Sequence, residues 1–336
     1  MKFGIWYDFR NPPRWRKSWA SLYGELLEQI AWADGLGFES VWLSEHHFTE
    51  DGYMPSVFPV LGAIAQRTRN LRLGTAVLLA PQHHPVRLAE DSAVVDVLSE
   101  GRLELGLAPG YRPAEFQILG IPKQQRGKRT DETIEILRLA WQGDEFTYKG
   151  QIFQFESVIS QPTPTRQTGV PIHVGGSSRT AAQRAGRYCC NFMPDVGSPR
   201  TLYELYWEEL QRAGAESNQF EVSTNGCVYV CEDPERGWND IKEHLSYMKN
   251  YYEIWASEAG DVVTASSAED VDDPATDLCI VGTPSAVVER LKNAEDEFGF
   301  DRFIFWARLP GLPIEKSNRS LELFANEVLP SFVKPS

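Results

Sequence analysis

A single closed (β/α)8 barrel is the fold this sequence predicts, on three observations. Short apolar runs rich in β-branched and aromatic residues alternate with segments of helical periodicity, and no run of like elements interrupts them. The alternation repeats eight times, which favours a closed barrel over an open sheet. An open doubly wound sheet usually carries a glycine-rich turn after its first strand, and here that turn is Asp8-Phe9-Arg10-Asn11-Pro12. The 336 residues, 42% hydrophobic, suffice for one large core, so the whole chain is taken as one domain.

In order, Lys2 to Tyr7 is the first strand. Ser18 can cap a helix running through Leu22, Leu26 and Ile30. Phe38 to Leu43 is the second strand, and Ser56 to Arg69 the second helix. Leu71 to Leu79 is the third strand; Pro85 suits the first position of the helix that follows. Arg102 to Leu107 is strand four, with a helix from about Thr130 to Trp141. Aromatic alternation in 144–165 predicts a small hairpin inserted there. Val170 to Val174, Asn191 to Met193, Glu221 to Cys231 and Arg302 to Trp306 complete the strands. Between the seventh and eighth lies a second insertion: a long helix from Pro234, then an acidic stretch over 258–276. Its scarce apolar content predicts a mobile, lid-like excursion.

The net charge is -14, from 33 basic and 47 acidic side chains. Such a chain repels phosphate backbones, so nucleic acid is not an expected partner. No apolar run approaches a membrane span and no export signal is read, so a cytoplasmic location is expected. The five cysteines include the adjacent Cys189 and Cys190, and the odd count predicts reduced, buried thiols.

Chemistry should gather at the carboxyl ends of the strands. Glu45, His46 and His47 follow strand two directly, and His83 and His84 follow strand three. Histidine suits proton transfer near neutral pH. His173 lies within strand five. A metal hydrolase on this fold would want an HxH pair ending strand one, where Trp6-Tyr7-Asp8 stands instead, so no metal site is expected. Gly175-Gly176-Ser177-Ser178 opens a helix after strand five, a plausible phosphate seat through free N–H groups and the helix dipole. Gly110 and Glu115 follow strand four. Gly74 to Val77 are small and leave room for a planar ring or for tight packing. Trp6, Tyr7, Phe9, Tyr53, Phe58 and Trp306 are available at the mouth, pointing to an apolar or aromatic ligand. No separate nicotinamide turn is visible.

The blocks WLSEHHFTEDG, LGTAVLLAPQHHPVRLAED, GRLELGLAPGYRPAEFQILG, PIHVGGSS and VGTPSAVVERL keep an order and spacing that resemble the bacterial luciferase-like monooxygenase family, flavin-dependent and like the luciferase α subunit. The resemblance implies a barrel that binds reduced FMN at its mouth. It implies a C4a-peroxyflavin formed with O2, which oxidises a small organic substrate. His46 matches the catalytic histidine, with Glu45 beside it and Glu115 an acid near the flavin ring. Ala76-Val77 matches a pair joined by a non-prolyl cis peptide under the flavin. Gly110, Gly175, Gly176, Ser177 and Ser178 match cofactor-binding positions. Ala108 and Pro109 replace a reactive cysteine and a phosphate-binding arginine, so Arg112, Arg126, Arg129 and Arg179 are the candidate cations, Arg112 first among them. A separate flavin reductase and a homodimer are expected. Relatives with these blocks also include enzymes using coenzyme F420 for hydride transfer and flavin binders without turnover, which stand as alternatives.

Overall fold

The computed structural model describes residues 1–260 and 279–332. Eight parallel strands form the barrel: β1 (Lys2–Tyr7), β2 (Ser40–Leu43), β3 (Arg72–Thr75), β4 (Leu103–Ala108), β5 (Ile172–Gly175), β6 (Asn191–Met193), β7 (Ser223–Gly226) and β8 (Arg302–Trp306). Each pairs with its neighbour in sequence except β6 with β7, and β8 pairs with β1 in register Lys2 to Arg302. Bridges Phe192–Val222 and Asp195–Asn225 draw β6 and β7 together, so the barrel is nearly closed.

The main outer helices are α1 (Trp19–Ala33), α2 (Val57–Ala65), α3 (Pro85–Leu98), α4 (Arg126–Ala140), α5 (Arg179–Arg187), α6 (Arg200–Arg212), α7 (Pro234–Ala259), α8 (Pro284–Phe298) and α9 (Ile314–Leu323). Local chemistry explains their starts. Ser18 caps α1 by accepting from Ser21 N–H, and Pro85 opens α3 where a missing N–H costs nothing. Apolar faces such as Leu22, Leu26 and Ile30 of α1 then bury against the sheet.

Several expected elements come out differently. The third strand breaks at a non-prolyl cis peptide between Ala76 and Val77, resuming at Leu78–Leu79 against β4. The seventh also divides: β7 belongs to the barrel, while Val228–Val230 pairs with Ile280–Gly282 in a separate parallel ribbon. A disulfide joins Cys227 to Cys279 at the start of that ribbon, correcting the expectation of five reduced thiols. A pairing across 52 residues depends on where two strands meet and is not written in cysteine spacing. Residues Phe146–Lys149 and Gln154–Val158 form an antiparallel hairpin against α4, where the Glu132 carboxylate accepts N–H bonds from Gln151, Ile152 and Phe153. Nearly all of the 258–276 excursion lies outside the described residues.

The lower barrel interior is charged, and its arginine and carboxylates are paired with one another. Arg302 meets Glu104 at 2.8 Å, Glu39 at 3.0 Å and Glu221 at 3.1 Å, and His173 Nε2 lies 2.9 Å from Glu104 Oε2. His173 is therefore a core group below the mouth, not a member of the site. The room beside Gly74 is taken by the indole of Trp42, since a Cβ there would stand 2.2 Å from Trp42 Cε3. Tight packing, not a planar ligand, explains that small residue.

Candidate active site

A cavity of about 550 Å³ opens at the carboxyl ends of the strands, a usual size for a cofactor or small-molecule site. Its walls include Glu45, His46, Ala76, Val77, Gly110, Gly175, Gly176, Ser177 and Ser178. Glu115 and Arg112 stand behind this wall.

His46 leaves β2 with its Nδ1 2.9 Å from Glu115 Oε1. The same oxygen accepts the His47 backbone N–H at 2.9 Å, and Gln82 donates to Oε2 at 3.2 Å. Burial alone would raise the Glu115 pKa, but the His46 bond and charge, with the other donors, outweigh it and hold the carboxyl below its usual range. An ionised carboxylate only accepts, so His46 Nδ1 carries the hydrogen and Nε2 is left to exchange a proton. Tyr53, Tyr111 and Trp255 surround the imidazole, with ring centroids 4.8, 5.9 and 4.7 Å away.

Glu45 has a different occupation. Its Oε2 accepts Leu79 N–H at 2.7 Å, and its Oε1 meets His83 Nε2 at 2.8 Å and His47 Nε2 at 3.2 Å. Burial opposes ionisation, but His83 and His47 overcome it and bring the carboxyl down to about 2. The backbone adds Ala76 N–H to Leu43 O at 2.7 Å and Glu45 N–H to Val77 O at 3.3 Å. The exit of β2 thus holds the cis-peptide loop from both sides. His47 serves this clamp, and His84 packs beside Phe153 and Phe155 of the hairpin.

At the other end of the cavity β5 turns into α5. Gly176 has φ +121°, a conformation open to glycine. A Cβ on Gly175 would stand 2.6 Å from Val77 Cγ1, so the missing side chain lets Val77 lie flat across the floor. Ser178 caps α5 by accepting Ala181 N–H at 3.1 Å, while Ser177 donates its hydroxyl to Asp195 at 2.7 Å. The first N–H groups of α5 have no partner within the helix. Two arginines reach this wall. Arg184 is paired with Asp131 at 2.6 Å, whereas the side chain of Arg126 has no polar partner among the described residues. The other candidates stand elsewhere. Arg129 lies over Phe153 at 5.2 Å, and Arg179 is exposed off the wall. Arg112 donates to His47 O at 2.6 Å and lies over Trp255 at 4.8 Å, bracing the histidine loop beneath α7.

That helix brings in residues the sequence reading missed. Tyr252 lines the cavity and bonds Tyr53, Trp255 packs on His46, and Tyr247 donates to Asp51 at 2.9 Å. Arg10, paired with Asp51, sits beneath the rings of Tyr247, Tyr251 and Trp255. A signal was present: residues 247, 251 and 255 fall on one helical face, with 252 beside them. Of the expected mouth aromatics only Trp6 and Tyr53 line the cavity; Trp306 stacks behind Trp6 at 4.0 Å, and Tyr7 and Phe9 belong to the core. Among the described residues no group of three or more His, Cys, Asp or Glu is placed to hold a metal ion, and no helix is long and apolar enough to cross a membrane.

A parallel barrel with an open helix start at one end of its mouth and a carboxylate-oriented histidine at the other is built as the cavity-bearing barrels of the (β/α)8 enzymes are. Comparison places the chain among them: residues 1–302 match the luciferase-like monooxygenase model, and the protein belongs to that family. It is 27% identical over 334 residues to the flavin-dependent trigonelline monooxygenase, oxygenase component, of Acinetobacter baylyi, covering 93% of this chain and 90% of that one. It is 25% identical to an F420-dependent glucose-6-phosphate dehydrogenase of Nakamurella multipartita, covering 91% of each. The crystal structure of monooxygenase RslO1 from Streptomyces bottropensis superposes with a TM-score of 0.86 at 27% identity, covering 99% of this chain and 100% of that one.

Proposed function

We propose that the protein is the oxygenase of a two-component system, taking reduced FMN from a separate flavin reductase and using O2 to oxidise a small, largely apolar organic substrate. The observation that carries this reading is one cavity running from the Gly176–Ser178 corner, beside Arg126, whose side chain has no polar partner among the described residues, to His46. Bound reduced flavin would supply the two electrons that leave one oxygen atom on the substrate and release the other as water.

The residues present fit such a cofactor. Arg126, the start of α5 and Ser178 would hold its phosphate, with Arg184 alongside, in place of the Arg112 first favoured. Ala76, Val77 and the bare edge of Gly175 offer a flat floor for its ring, and Gly110 and Tyr111 border it. His46, held by Glu115, takes or returns a proton at Nε2. Glu45 acts through position, fixing the Ala76–Leu79 loop. Tyr53, Trp255 and Tyr252 exclude water from that end.

The relative described as an oxygenase component supports the two-component reading. The homodimer is supported by an exposed apolar strip on α3, Val94, Val97 and Leu98; sedimentation of a single species of monomer mass would remove it. The cofactor is tested by anaerobic titration with reduced FMN, then O2 and a panel of organic substrates with product analysis. Tight binding and an oxygenated product are expected. Binding of F420 with none of reduced FMN would reverse the assignment toward hydride transfer.

A further inference from the structure

We propose that Tyr252, backed by Tyr53 and Ser44, donates a hydrogen bond to a carbonyl oxygen of the organic substrate. The inference rests on the monooxygenase reading and concerns the substrate part of the same cavity. Ser44 Oγ lies 2.7 Å from Tyr53 Oη, and Tyr53 Oη lies 2.8 Å from Tyr252 Oη. All three residues line the cavity. Each hydroxyl has one hydrogen to give, and the two bonds use two of the three. One O–H is therefore left over, whichever way the chain runs.

With the chain running from Ser44 through Tyr53, that hydrogen falls at Tyr252. Ser44 and Tyr53 are buried, while Tyr252 is only half-buried and at the chain's open end. Running from Ser44 through Tyr53, each bond polarises the next and makes the last hydroxyl the better donor. Burial keeps both phenols well above their ordinary pKa, so they remain neutral donors. Of the nearby charges, Arg10, over the Tyr53 ring at 5.2 Å, pairs with Asp51 through Nε and does not line the cavity, Asp8 adds negative charge beside both phenols, and His46 is paired with Glu115. A carboxylate ligand would find no free cation on this side among the described residues. A neutral accepting oxygen on an otherwise apolar body fits, beside Trp6 and Met193. The His46 ring, edge-on to Tyr53 at 4.8 Å, puts this seat next to the proton-handling group.

The test uses 4-phenylcyclohexanone and phenylcyclohexane, which differ in the carbonyl, on the full chain. Binding is measured by tryptophan fluorescence and the ketone's carbon-13 carbonyl resonance by NMR. The ketone should bind roughly tenfold tighter than the hydrocarbon, the value of one hydrogen bond, and its carbonyl resonance should move downfield. Tyr252→Phe keeps the ring and should abolish both effects. Ser44→Ala, a second variant, should reduce both without abolishing them. Equal binding of the two probes, binding of neither, or an unchanged preference in Tyr252→Phe overturns the proposal. A parallel FMN titration separates the failures: intact FMN binding leaves the cofactor reading standing, and its absence removes that reading first.

Discussion

His46 Nδ1 and Glu115 Oε1 lie 2.9 Å apart, joining residues separated by 69 positions in the chain. The bond assigns the imidazole its tautomer, directs Nε2 away from the carboxylate and ties the loop after β2 to the short helix after β4. The proposed proton chemistry depends on it.

Replacing His46 with Ala should lower product formation by roughly 10²- to 10⁴-fold, the usual contribution of a positioned acid–base group. Flavin affinity should change little, because the phosphate seat is at the other end of the cavity. Glu115→Gln should give a smaller loss, since the amide can present its NH2 as well as its oxygen to Nδ1 and no longer fixes the tautomer. Unaltered product formation in Glu115→Gln would remove the orienting role.

Arg126→Ala should weaken FMN binding roughly ten- to hundredfold, as expected for losing a charge-assisted contact. Riboflavin, which lacks the phosphate, should bind the variant and the parent alike. Fluorescence titration with the two ligands checks this. Equal loss for both would place Arg126 at the ring or in the fold.

The Glu45–His83 contact predicts a stability window. Burial opposes the charge on Glu45, but His83 and His47 lower its pKa from 4.5 to about 2. Its contribution is present above 4.5 and fades as pH falls toward about 2. Burial also opposes charge on His83, but Glu45 prevails and raises its pKa above 6.5. That part is complete below 6.5 and is lost as pH climbs through the raised value. The destabilisation in Glu45→Gln should be greatest between the two limits and diminish on either side. Urea unfolding of parent and variant across pH measures it, and a pH-independent difference would count against the pair.

Gly74→Ala should destabilise the fold by about 1–3 kcal/mol, the range for overpacking a core. The added Cβ would meet the Trp42 ring, which is fully buried and has no open side to move into. Urea midpoints with unchanged m-values would register it; a neutral outcome would mean that Trp42 can shift.

The barrel was legible because its signals are local. Lys2–Tyr7 and Arg302–Trp306 read as strands from short apolar runs, and Pro85–Leu98 as a helix from a period of 3.6, signals that each segment carries by itself. His46 and the Gly175–Ser178 turn were legible for a related reason: polar and small residues at strand exits leave few packing explanations. The break at Ala76–Val77 was implied by family resemblance alone, because nothing in its composition separates it from an ordinary strand.

Sequence alone thus determined the order of strands and helices and the strand ends at which His46 and the Gly175–Ser178 turn stand. Tertiary structure decided which partners those residues meet. It put Arg126, whose side chain has no polar partner among the described residues, on the wall beside the Gly176–Ser178 turn and set Arg112 beneath α7. It brought Tyr252 to Tyr53 across 199 positions and joined Cys227 to Cys279. The physical reason is range: periodicity is a property of neighbours along the chain, while a salt bridge, a hydroxyl chain or a disulfide exists only after distant segments have packed.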